Sequence, residues 1–220
     1  MSSPPRGRLQ ARWAGRWEFA PCLAEQLRLR QEIIAGTGTE TLILVEHPPT
    51  ITFGRRGLKE DVLWTDEQLA AAQVELCDTP RGGELTLHAP GQLVAYPVVR
   101  VDMQIRQHVM RMADVTMALL AELGVDGTHY DEELPGVWRG ELKLASVGIH
   151  VSRGVAVQGM SINLDVEPHL FGALVSCGEP NLQITSVARV RSGPLPPMEA
   201  LARRWAESFA ADGNWELDWT

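Results

Sequence analysis

Two residues of this chain combine a reactive type with an unusual setting: Cys177 and Lys143. Cys177 stands in Ser176-Cys177-Gly178-Glu179-Pro180, where glycine and proline predict a loop rather than mid-helix or mid-strand. Loops on a rigid scaffold often carry chemistry, and an ionised thiol is a strong nucleophile. A buried structural cysteine is the common alternative. It suits Cys22 in a helical stretch and Cys77 at a strand end better than it suits Cys177. Lys143 is one of 2 lysines against 18 arginines. Arginine does not readily give up its proton, so proton transfer in such a chain would fall to a lysine; biased composition by itself accounts for the scarcity. Leu142-Lys143-Leu144 lies in a strand pattern, and alternation puts the lysine on the face opposite both leucines, turned to solvent or into a cleft.

Two further segments depart from generic core. His47-Pro48-Pro49 through Gly54-Arg55-Arg56-Gly57 has its course set by prolines and glycines and gathers Arg55, Arg56 and Lys59 on one loop. Read alone it is equally a solvated surface loop. Arg81-Gly82-Gly83 through His88-Ala89-Pro90-Gly91-Gln92 pairs glycines that let backbone amides approach a ligand with two polar side chains, Arg81 and His88. Read alone it is a hairpin with a glycine turn.

The rest of the composition excludes other chemistries. Six histidines form no HExxH and no short-spaced pair, and three cysteines at 22, 77 and 177 form no CxxC, so no metal is expected. The odd thiol count without a secretory signal points to a reducing, cytoplasmic setting. With 20 basic and 28 acidic residues the net charge is −8, which argues against nucleic acid as a partner. No apolar run reaches membrane-spanning length. The arginine-rich first 17 residues have the flavour of a transit peptide, but read better as a basic terminus leading into a first strand at Leu9–Trp13.

Positioning these residues falls to mixed elements. The spacing of Leu23, Leu27 and Ile34 predicts a helix over 17–35, ended by Gly36. Strands are expected at 41–46 and 91–100, where Pro97 suggests an edge or an end. The stripe Val109, Met112, Val115, Leu119 and Leu123 predicts a helix over 104–123, capped by Gly124. Segments 141–151 and 154–164 alternate as a hairpin turning near Ser152–Gly154. A last helix spans 197–211, and 215–219 alternates as a short final strand. Gly and Pro are spread evenly, so 1–220 is expected to be a single domain.

Taken together, the segments resemble the lipoyl(octanoyl) transferases of lipoate biosynthesis. The resemblance rests on five motifs in order. They are His47-Pro48-Pro49, Arg81-Gly82-Gly83 to Pro90-Gly91-Gln92, Lys143-Leu144-Ala145-Ser146-Val147-Gly148, Gly159-Met160-Ser161-Ile162-Asn163, and Cys177-Gly178. It covers about 40–190. The chain departs from the family pattern at Leu87, Ala89 and Gln158, where tyrosine, glycine and histidine are usual, and these changes bear on acyl chain length more than on reaction class. The resemblance implies an α+β fold: a mixed, largely antiparallel central sheet flanked by helices, similar to the biotin/lipoate ligase catalytic domain.

It also implies an acyltransferase that moves an octanoyl group from acyl carrier protein, through a thioester on Cys177, to a lysine of a lipoyl domain. Lys143 is the implied partner of the thiol. The implied acyl-binding residues are Arg81, Gly82, Gly83, Glu84, Leu85, Thr86, Leu87 and His88, then Ser146, Val147 and Gly148, then Gly159, Met160 and Ser161. No cofactor is implied, because the donor thioester arrives activated. The implied acceptors are the lipoyl domains of 2-oxoacid dehydrogenase E2 subunits and the glycine cleavage H protein. Such partners are acidic, so docking on this acidic chain needs a local basic patch, for which Arg55, Arg56 and Lys59, with Arg139, are the candidates. Charge reversal at Arg55 and Arg56 should then raise the KM for the carrier, and an unchanged KM at low salt would dismiss the patch. Two alternatives differ in chemistry. An ATP-dependent lipoate or octanoate ligase needs no nucleophilic cysteine, and a non-catalytic acyl-binding module forms no covalent adduct.

Overall fold

The computed structural model describes residues 6–101, 105–179 and 182–220; the side chain of Cys177 and position 104, where the long central helix was expected to begin, lie outside the described part. In chain order the strands and helices are β1 (Arg8–Arg16), α1 (Phe19–Ala35), β2 (Thr41–Glu46), β3 (Thr50–Phe53), α2 (Asp66–Ala71), β4 (Glu75–Asp78), β5 (Leu85–His88), β6 (Gln92–Val98), α3 (Ile105–Glu122), β7 (Thr128–Asp131), β8 (Gly136–Arg139), β9 (Leu142–Ser152), β10 (Val155–Asn163), α4 (Val187–Val190), α5 (Met198–Asp212) and β11 (Glu216–Trp219).

Eight strands form one sheet in the order β11-β1-β2-β6-β10-β9-β8-β7, and β4-β3-β5 form a second. In the large sheet β1 runs parallel to both β11 and β2, and the pairings from β2 to β7 are antiparallel. This is the mixed, largely antiparallel α+β sheet expected. β2 reads as a continuous apolar run because both its faces are covered. Leu42 and Leu44 point to a core shared with α3 and α5, built on Met112, Leu120, Trp205 and Phe209. Ile43 and Val45 point the other way, to Phe19, Cys22 and Leu23 of α1. The small sheet has its own core of Ile51, Leu69, Val74, Leu85, Leu87 and Leu174.

Two expectations change. Helix α1 buries Phe19, Cys22, Leu23, Gln26, Arg30 and Ile33, so its inner stripe lies one residue away from the predicted Ile34. Pro97 stands next to last in β6, a strand flanked by β2 and β10, so it marks a strand end and not a sheet edge. Its missing N–H falls opposite Gln158, since Met160 pairs with Ala95 and Val155 with Arg100 in one register. The ladder opens there, and the Gln158 N–H donates instead to Gln26 Oε1 of α1 at 2.9 Å.

Candidate active site

Lys143 is the second residue of β9 and is fully buried. Opposite it on β8 stands Trp138, while Val137 pairs with Ala145, so Leu144 is an extra residue in a β-bulge. Lys143 and Leu144 are both wholly shielded from solvent, so the lysine is turned into the protein and not to solvent. The lysine Nζ donates to Leu134 O at 3.4 Å and lies 5.1 Å from the centre of the Trp138 ring. Gly136 explains how the side chain fits, because a Cβ there would stand 2.6 Å from Lys143 Cε. The Pro135-Gly136 pair was visible in the sequence, but only the folded hairpin shows that the glycine makes room for a lysine.

The backbone around Lys143 draws in the cysteine segment. Lys143 N–H donates to Gln183 O at 2.8 Å and Thr185 N–H donates to Lys143 O at 3.0 Å. Ser176–Gly178 forms a short 3-10 turn, the loop setting expected for Cys177. Gly178 has φ +72°, and a Cβ there would lie 3.7 Å from Glu84 Cγ. The turn therefore rests on the glycine loop on one side, while the strap 183–185 ties its downstream chain to β9. Ser176, Ile184, Thr86 and Ser146 enclose a narrow space of about 10 Å³ beside it.

The glycine loop is not the hairpin turn that its sequence suggests. It joins β4 to β5, and β3 lies between those strands. Buried Arg81 anchors it, donating through Nη2 to Thr52 O at 2.7 Å and Thr52 Oγ1 at 2.9 Å, and through Nη1 to Gly82 O at 3.0 Å. The N–H groups of Gly54, Arg55 and Arg56 donate to the carbonyls of Glu84, Arg81 and Gly83. Loops 54–56 and 81–84 thus brace each other.

Between this loop and β9 runs a cleft of about 340 Å³. Of the expected acyl-binding residues, Arg81, Gly82, Gly83, Glu84, Leu85, Thr86, Ser146, Val147 and Gly148 line it. Arg56, Val109, Tyr130, Glu133, Leu134, Pro135 and Ile149 complete the wall; the sequence did not place them in the acyl site, because nothing but the fold brings α3 and β7 to this side. The cleft narrows past Thr86 and Ser146 into an inner space of about 20 Å³, lined by His88, Gly159, Met160 and Ser161 together with Tyr96 and Gln158. Leu87 is the exception: its side chain packs in the small sheet's core and borders only the narrow space beside Ser176.

The histidines behind the inner space are neutral structural groups. Burial pushes His47 down to about 4 and His88 down to about 3, the latter helped by His47 and Arg81 nearby. A carbonyl only accepts, so His47 donates from Nδ1 to Trp17 O at 2.5 Å, and Nε2 then accepts from the Tyr96 hydroxyl at 3.0 Å. Gln92 Nε2 donates to Leu87 O at 3.1 Å and Asn163 Oδ1 at 2.9 Å. Its Oε1 is left to accept from His88 Nδ1 at 2.8 Å. The motif residues Gln92 and Asn163 therefore hold His88 in one tautomer.

His108, against Phe209 in the main core, is likewise held down at about 4, chiefly by burial, and its Nε2 has no partner among the described residues. All three rings titrate near 6.5 when unfolded. Between about pH 6.5 and 4 only the unfolded chain takes up their protons, so stability is intact above 6.5 and falls with acid, by about 1.4 kcal/mol per pH unit for each ring. The melting temperature should drop steeply from pH 7 to 5. His108→Leu should flatten that slope by about a third, and an unchanged slope would contradict this account.

Burial pushes the Cys22 thiol up to about 12 and raises that of Cys77, so neither supplies a thiolate near neutrality. The docking candidates divide. Arg55 and Lys59 are exposed. Arg56 is exposed but pairs with Glu84 at 2.8 Å. Arg139 is half-buried and donates to Val190 O at 2.9 Å; it fastens α4 and leaves the docking set.

The model of the lipoyl protein ligase A/B catalytic domain matches residues 19–210. An octanoyltransferase of Desulfovibrio desulfuricans is 37% identical over 182 residues, 81% of this chain and 76% of that one. One of Magnetococcus marinus is 36% identical over 206 residues, covering 91% and 92%. Among solved structures, a lipoate-protein ligase A bound with ATP superposes with a TM-score of 0.70 at 15% identity, covering 97% of this chain and 89% of that one.

Proposed function

Because this chain belongs to the octanoyltransferases of the lipoyl protein ligase A/B catalytic-domain family, we propose that it moves an octanoyl group from a carrier thioester to a protein lysine by way of Cys177, the whole chain acting as one octanoyltransferase domain. The observation that carries this reading is the fully buried Lys143, strapped through residues 183–185 to the segment that bears the Cys177 turn and bonded through Nζ to Leu134 O, whose residue lines the cleft of about 340 Å³.

In the first step the Cys177 thiolate attacks the carbonyl carbon of the donor thioester. The tetrahedral oxyanion collapses, the bond to the carrier's sulfur breaks, and that sulfur leaves as a thiolate and takes up the Lys143 proton, which leaves the lysine neutral for the second step. One thioester replaces another, so no nucleotide is needed. Lys143 favours the thiolate when charged. In the second step the amine of the acceptor lysine attacks the Cys177 thioester, its proton passes to neutral Lys143, and Cys177 departs as thiolate, leaving a stable amide. In this reading a backbone N–H beside the nucleophile, such as that of Gly178, holds the oxyanion.

The donor in this reading is octanoyl-acyl carrier protein. The acceptors are lipoyl domains of 2-oxoacid dehydrogenase E2 subunits and the glycine cleavage H protein, met by the exposed cations Arg55 and Lys59. Among the described residues no helix is long and apolar enough to cross a membrane. The test is octanoyl transfer from purified octanoyl-acyl carrier protein to a lipoyl domain with ATP omitted. Transfer at full rate without ATP supports the reading; transfer of free octanoate that starts only when ATP is added would replace it with a ligase.

A further inference from the structure

Gln158 sits at the inner end of the cleft in a conformation that nothing in the transfer chemistry requires. It is 2% exposed, has φ +63°, and its Oε1 has no partner among the described residues. Left-handed backbone is unusual outside glycine, asparagine and aspartate, and such positions gather at functional sites. The cause is local. Pro97 stands opposite and cannot donate, Gly159 has Pro97 Cδ 2.9 Å from where its Cβ would be, and Gln26 draws the Gln158 N–H toward α1. An unpaired polar atom buried this deeply is costly unless something fills the place.

The space in front of it, about 20 Å³, holds about one water molecule. Three neighbouring groups on its lining have already committed their protons. The Tyr96 hydroxyl donates to His47, Ser161 Oγ donates to Ser146 O at 3.4 Å, and His88 donates from Nδ1 to Gln92, which leaves its Nε2 an acceptor. Val94, Val147 and Met160 give the space an apolar side, and opposite them Gln158 Oε1 and His88 Nε2 are left as acceptors on a polar face, where an alkyl terminus alone would call for apolar side chains throughout.

We propose that Gln158 reads the far end of the acyl group and that the inner space is built for a hydroxyl, brought either by a resident water or by the acyl chain itself on its last carbon. The inference rests on the cleft being the acyl site. It makes Gln158 a specificity-determining residue.

The test compares three non-transferable ligands by calorimetry, with NH in place of the thioester sulfur of a pantetheine conjugate: octanoyl, nonanoyl and 8-hydroxyoctanoyl. The last two are isosteres that differ only in methyl against hydroxyl at the same position. Wild type should prefer 8-hydroxyoctanoyl to nonanoyl, and Gln158→Leu should shift that preference toward nonanoyl by about tenfold or more. Should the leucine variant unfold, Gln158→Asn, which tolerates left-handed backbone and retracts the amide by one methylene, should shift it in the same direction. Tightest binding of 8-hydroxyoctanoyl assigns the hydroxyl to the acyl chain; tightest binding of octanoyl, with 8-hydroxyoctanoyl still ahead of nonanoyl, assigns it to water. A wild-type preference for nonanoyl, or a preference unchanged in the folded variants, overturns the proposal. Binding of amides needs no Cys177, so loss of transfer with the preference intact would sink the transferase reading alone.

Discussion

Lys143→Arg is expected to fold, keep its positive charge, and lose about a hundredfold to ten-thousandfold of turnover. Arginine favours a neighbouring thiolate as a lysine does, but it cannot take a proton from an incoming amine near neutral pH. Space acts in the same direction. The lysine Cε already occupies the volume that a Cβ on Gly136 would need, and Nζ points to Leu134 O over the Trp138 ring. A planar five-donor fork does not fit that slot without moving β8. The two contributions separate by step: acylation of Cys177 should survive better than transfer to the acceptor lysine. Single-turnover kinetics measures both, and near-wild-type transfer in Lys143→Arg would remove Lys143 from the mechanism.

Much of this site was legible in the sequence because it is carried by residues with few alternative uses. A lysine in an arginine-rich chain, a cysteine between serine and glycine, and paired glycines after an arginine each mark a place where ordinary packing would use something else. Periodicity gave the long helix before Gly124, which buries one stripe, and the two apolar-rich runs flanking Arg153-Gly154 gave the hairpin. Pairing was not legible. β1 and β11 lie side by side in parallel although about 200 residues separate them. β4 and β7 are short and carry exposed or half-buried residues, so no apolar pattern announces them.

The bulge at Leu144 was hidden for another reason. Strict alternation is the only rule a single strand offers, and an extra residue shows itself only against the partner strand. The work of the polar motif residues Gln92 and Asn163 was also not legible: their hydrogen bonds go to the backbone of Leu87 and to His88 and each other, fixing a neutral ring on the wall of the inner space. Arg139 looked like a docking charge and instead fastens a carbonyl.

Cys177→Ser is the second large effect. The substitution nearly keeps size but replaces a readily ionised thiol with a hydroxyl, a far weaker acid. An ester on serine is also less readily displaced by an amine than a thioester. Octanoyl transfer is expected to fall by about a thousandfold or more, while the melting temperature stays within a few degrees of wild type. Substitution of Cys22 or Cys77 should leave transfer intact, because burial raises both thiols and neither borders the cleft. Retained transfer in Cys177→Ser would move the chemistry to direct attack of the acceptor amine on the carrier thioester.

The most direct measurement is intact-protein mass spectrometry after mixing wild type and Cys177→Ser with octanoyl-acyl carrier protein, without ATP and without acceptor. The expected result is a single octanoyl group on wild type, removed by hydroxylamine, discharged on adding a lipoyl domain, and absent from the mutant. An unmodified wild-type protein that nevertheless transfers octanoyl to the lipoyl domain, or an equal adduct on Cys177→Ser, would contradict the Cys177 thioester.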